Sequence, residues 1–190
     1  RLPCWWGFTP GETTWQTAQA FFASLGKTPA EWIPTKYPSP HGTTIYSVNF
    51  NLPDYDIQMA QTYVNNGSVI ERIWVSSGTV RNHEPVYGDP QFLQIWRPYT
   101  LPEMLTTYGL PGEIMLALYQ STPMGWLPFQ ILLFYPDQGI LVRYYGPAEL
   151  QGDQLRACPH RSDITMWLWL PEQALGLEDI ADMGPDITPE

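Results

Sequence analysis

Twice along this chain a hydrophobic period of 3.6 gives way to a period of two, and each change is punctuated by glycine and then proline. Pro10-Gly11 makes a turn, and Thr13 offers an N-cap oxygen with Gln16 three residues on. Apolar side chains then recur at Trp15, Ala18, Phe21, Phe22 and Leu25 before Gly26 and Pro29. The spacing predicts a helix over 14–25, closed by Gly26 in the left-handed conformation. Alternation follows over Thr43 to Asn51, Tyr55 to Val64 and Val69 to Val75, a three-strand meander whose last turn is Asn65-Asn66-Gly67. After a Gly- and Pro-rich stretch from Gly78 to Pro98 the order repeats. Thr100-Leu101-Pro102-Glu103 reads as a capping box, Leu101, Met104, Leu105 and Tyr108 form an apolar face, and Gly109 with Pro111 ends the helix. Strands are expected at Ile114 to Tyr119, Phe129 to Tyr135 and Ile140 to Tyr145. A loop over Pro147 to Asp153 leads to further strand around Leu155 to Ala157 and at Ile164 to Leu170.

The fold class expected is therefore α+β, built as two tandem units, each a helix packed on an antiparallel β-meander. Residues 1–78 form the first unit, 79–98 a connector, 99–171 the second unit and 172–190 a loosely ordered acidic tail, with a short helix at Leu177 to Met183. The segment Ile164 to Leu170 is apolar on both faces. Either it is a strand buried on both sides, or Trp167 and Trp169 form a contact surface.

Charge narrows the partners. Nineteen acids against nine basic residues give a net charge of −10, with no cationic cluster that could displace the counterions of a nucleic acid. Anionic membranes are disfavoured for the same reason. The longest apolar run, near Ile131 to Tyr135, falls far short of the roughly 20 residues a bilayer helix needs, so no membrane insertion is expected. The chain begins at Arg1 rather than Met, which suggests that an upstream piece has been removed.

Catalytic signals are sparse. His41, His83 and His160 lie in loop-like settings, without helical spacing or neighbouring ligands, and read as solvated histidines rather than a metal site. No nucleophile elbow, phosphate loop or calcium loop appears, and no cofactor is implied. Asp54, Asp56 and Glu71 beside Arg72 read as turn and strand-face acids rather than a hydrolytic pair. The chain is expected to be no enzyme. Cys4 and Cys158 form either a disulfide closing most of the chain or two buried free thiols. Asn66-Gly67-Ser68 is formally a glycosylation sequon that the turn reading explains without sugar.

The nine tryptophans divide between packing and contact. Trp126, in Met124-Gly125-Trp126-Leu127-Pro128, is hard to bury in a turn bounded by Gly and Pro, and with Trp167 and Trp169 it is the candidate binding group.

Pro10-Gly11-Glu12-Thr13, the exit Leu25-Gly26-Lys27-Thr28-Pro29 and its counterpart Tyr108-Gly109-Leu110-Pro111 resemble the exported helix-plus-sheet units of the SmpA/BamE family and of β-lactamase inhibitor protein. Cys4-Trp5-Trp6-Gly7 ahead of them also looks like uncharacterised bacterial exported proteins. The high Trp and Pro content departs from the first group, and no inhibitory residue carries over. The resemblance implies a non-enzymatic, extracellular or cell-envelope protein that uses an open sheet face to hold another protein. Self-association through exposed antiparallel edges and aromatic loops is one form such binding could take. A carbohydrate-binding module using exposed aromatic rings is the alternative.

Overall fold

A computed structural model describes residues 2–27, 33–35, 44–52, 56–66, 68–118 and 127–181. The chain is α+β, mostly sheet. Among the described residues ten antiparallel strands make one sheet: β1 (Ile33–Thr35), β2 (Thr44–Leu52), β3 (Ile57–Asn66), β4 (Val69–Arg81), β5 (Glu84–Pro85), β6 (Glu113–Leu118), β7 (Leu127–Tyr135), β8 (Ile140–Gln151), β9 (Gln154–Ala157) and β10 (Asp163–Trp169). Their order is β1-β2-β3-β4-β10-β8-β7-β6, with β5 beside β4 and β9 beside β8. The last strand in sequence thus sits at the centre. It pairs with β4 through Trp167↔Trp74 and with β8 through Trp167↔Leu141, which accounts for a strand apolar on both faces.

Among the described residues four helices accompany the sheet: α1 (Trp15–Ser24), α2 (Pro90–Ile95), α3 (Leu101–Tyr108) and α4 (Leu177–Ala181). The first three cover one face. Over β2 and β3 the rings of α1 pack tightly, with Trp15 stacked on Tyr46 at 4.2 Å and Phe22 edge-on to Tyr63 at 5.5 Å. At the other end α3 buries Met104, and Tyr108 lies 6.0 Å from Tyr135, whose hydroxyl donates to the Gly109 carbonyl. Tyr144 of β8 donates to the Tyr99 carbonyl from the same face. Burying each such ring contributes about 1.5–3 kcal/mol, so these contacts dominate the helix placement.

Local chemistry sets the helix ends. Gly26 and Gly109 take positive φ of 78° and 79° at the two exits. The α1 cap is Thr14 rather than Thr13: Thr14 Oγ1 accepts from the Thr17 N–H, while Thr13 Oγ1 accepts from the Thr9 N–H and holds the preceding turn. Thr100 caps α3 with its backbone alone, because its hydroxyl donates to the Arg97 carbonyl and Glu103 pairs with Arg97.

The opposite face holds a second, smaller core of Leu132, Phe134, Leu141, Trp167 and Trp169. The C-terminal segment closes it: Leu175 and Leu177 pack there and Ile180 is fully buried. Residues 172–181, expected as loose tail, are held by these apolar contacts; 182–190 lie outside the described residues.

Two stretches are more regular than their sequence suggests. The expected connector contains the end of β4, the short β5 and α2, which Asp89 caps by accepting from the Gln91 and Phe92 N–H groups. The expected loop at Pro147 is strand, because Pro147 pairs with Pro128. Two residues without N–H can face one another only at a pair that exchanges no hydrogen bonds.

Cys4 and Cys158 are free, correcting the disulfide alternative. Cys4 is half-buried in the N-terminal turn beside Tyr99, whereas Cys158 is exposed where β9 leads into the 159–161 turn, and the two thiols do not meet.

Candidate functional site

The two ends of the sheet differ in a way that bears on binding. One end is β1, three residues long with Pro34 at its middle. Short length and proline are standard means of blocking strand addition. The other end is β6, Glu-Ile-Met-Leu-Ala-Leu, with no proline or lysine and its single charge at the first position. Among the described residues no strand pairs with its outer edge.

Register places Ile114, Leu116 and Leu118 of β6 opposite Leu133, Ile131 and Phe129 of β7, on the helix-bearing side of the sheet. The β7 residues are buried or half-buried, but the β6 row is not: Ile114 is 59% exposed, Leu116 68% and Leu118 52%. Leu110, just ahead of the strand, is 88% exposed. A continuous apolar row of this kind is unusual on a free surface. Covering what remains exposed of each side chain would release about 1–2 kcal/mol. Alternate N–H and C=O groups along the same edge point outward and supply directional bonds.

A second grouping lies on the face opposite the helices. Asp163 at the start of β10 pairs in register with Tyr145 of β8. Burial raises its carboxyl to about 7, with Arg143 pulling the other way. Burial, and then the charges of Asp163 and Tyr145, push the Tyr87 phenol up. Arg143 is engaged within the fold: it lies over the Tyr145 and Trp167 rings at 5.9 and 5.7 Å, and Nη2 donates to Thr165 Oγ1 at 3.4 Å. Thr165 in turn donates to Ser76 Oγ. A carboxyl titrating near neutrality can exchange protons, but hydrolysis by paired acids needs a second carboxyl facing it across a cleft. The cleft of about 670 Å³ lined by Leu2, Arg97, Pro98, Tyr99, Glu103, Thr107 and Tyr108 shares none of this group.

The residues singled out in the sequence are scattered. Trp126, His41 and Asp54 lie outside the described residues. Trp167 and Trp169 are 2% and 0% exposed, sealed beneath the C-terminal segment, so they offer a partner no surface as folded. Trp6 is the exposed tryptophan among the described residues; its ring lies parallel to that of Trp5, which is buried. Asp56 pairs with Arg81 at 2.7 Å, and His83 and His160 occupy separate turns. The β6 row was missed. Its alternation was visible, yet alternation alone does not say which apolar row stays uncovered.

Comparison with protein families, with characterised proteins and with solved structures finds no match to this chain.

Proposed function

We propose that this chain is a non-enzymatic, exported or cell-surface protein-binding module that takes on another polypeptide by strand addition at the outer edge of β6. The observation that carries this reading is the apolar row Ile114, Leu116 and Leu118, exposed on an edge strand that lacks the proline and short length of β1 at the far end. Main-chain bonds along β6 would supply affinity and the row would supply selection for alternating apolar side chains. Little charge stands on the two strands themselves, since β7 is uncharged and β6 carries only Glu113.

In the same reading the chain consists of two helix-plus-sheet units joined edge to edge at β4 and β10, akin to the tandem exported proteins that its sequence resembles. In support, α1 lies over β2 and β3 while α3 lies against β7, each leaving its helix through a positive-φ glycine. Placement outside the cytoplasm rests on the resemblance of the Pro10 to Thr13 and Leu25 to Pro29 stretches.

Selection of extended peptides from a displayed random library, on the wild-type chain and on Leu116→Lys, tests the binding mode. Binders with alternating apolar residues that weaken at least about tenfold on the variant are expected, equivalent to roughly 1.4 kcal/mol. Binders indifferent to Leu116→Lys would contradict it.

A further inference from the structure

We propose that the natural occupant of the β6 edge is a second copy of this chain, paired β6 to β6 in antiparallel fashion about a two-fold axis through Leu116; this rests on the strand-addition reading above. The strand is self-complementary about that residue. Antiparallel pairing centred there sets Leu116 against Leu116 of the second copy and Ile114 against Leu118, so every member of the exposed row meets an apolar mate. On the other face Met115 meets Ala117. Glu113, the one charge of the strand, falls at the rim and never opposes its own copy, so the axis passes through a charge-free segment.

Symmetry is the point that separates this occupant from others. A foreign strand needs only one matching face, whereas a closed isologous contact requires the same patch to fit itself, and a palindromic apolar row meets that condition. The pairing would continue the sheet across the axis and leave the short, proline-bearing β1 strands at both outer ends, where further addition is blocked. It therefore stops at a dimer rather than a fibre. Each chain carries −10, so the copies repel through solvent and the dimer tightens as salt is raised. A cationic partner would show the opposite trend.

The test is sedimentation equilibrium of the full chain up to roughly millimolar concentration in low and high salt, alongside Leu116→Lys and Leu116→Cys, the last with Cys4 and Cys158 replaced by Ser. The wild type is expected to approach twice the 21.7 kDa chain mass, more readily in high salt. Leu116→Lys should remain at chain mass and melt as the dilute wild-type chain does. Leu116→Cys should cross-link to itself under mild oxidation, whereas Leu25→Cys, an exposed site just past the end of α1, should not in the same background. A wild type at chain mass throughout, a Leu116→Lys chain that still dimerises, or equal cross-linking at both positions would overturn self-pairing. Peptide selection at β6 would still succeed in the first case if the edge binds a different chain, so the two readings fail separately.

Discussion

The carboxyl group of Asp163 on β10 occupies the space that a side chain on Gly78 of β4 would fill: a Cβ at Gly78 would stand 2.7 Å from Asp163 Cγ. This contact lies where the strands before the helix pair α2 and α3 meet those after it. Alanine at Gly78 must displace the carboxyl, at about 1–3 kcal/mol. Urea unfolding of Gly78→Ala, Asp163→Ala and the double variant should show the cost of the first change shrinking in the presence of the second. Additive effects would mean that the two residues do not compete for this space.

Stability should fall as pH rises from about 4 to 7. The folded chain holds the Asp163 proton up to about 7, whereas the ordinary value is 3.8, so in that window the folded state binds more protons than the unfolded one. The loss amounts to about 4 kcal/mol and levels off above 7. Asp163→Asn should flatten the slope and unfold at higher urea than the wild type at pH 8. Asp89 works in the opposite sense and in a lower range. The Phe92 N–H first, then the Gln91 N–H and Arg81, hold its carboxyl below the usual value, so its contribution is lost only as pH falls below about 4. A wild type equally stable at pH 5 and 8 would contradict the account of Asp163.

How far the sequence anticipates this depends on which physical rule governs each element. Periodicity marks an element with one buried face, and α1, α3, β2 and β3 were legible for that reason, whereas β7 was legible as an apolar run with both faces buried. The apolar run at β10 was legible as a strand, but its place between β4 and β8 depends on pairing across 89 residues, as between Thr165 and Ser76, for which local pattern carries no signal. Pro147 reads as the start of a loop, yet β8 runs through it because Pro128 stands opposite. The burial of Trp167 and Trp169 follows from Leu175, Leu177 and Ile180 folding back, again a long-range event. Nothing in Ile-Met-Leu-Ala-Leu distinguishes an open edge from a covered one.

Thr14→Ala should cost about 1 kcal/mol by leaving the Thr17 N–H without its side-chain acceptor, and Thr14→Ser should restore most of it. Thermal melts of the two variants check this. If Thr13→Ala alone lowered stability, the cap would belong one residue earlier.

With Cys4 and Cys158 unbonded, a thiol reagent should titrate two groups in the native chain, the exposed Cys158 reacting before the half-buried Cys4. Reducing agent should leave the melting temperature unchanged. A fall in melting temperature on reduction would reinstate the disulfide.

Hydrogen exchange across residues 113–118 bears most directly on β6 as the binding edge, measured on the dilute chain and again with a strand peptide selected on it. Alternate amides of the free strand should exchange quickly, while those of β10, paired on both sides, stay protected, and peptide should slow the fast set. If 113–118 exchanges identically with and without peptide while amides elsewhere slow, binding occurs at another surface and the central claim is wrong.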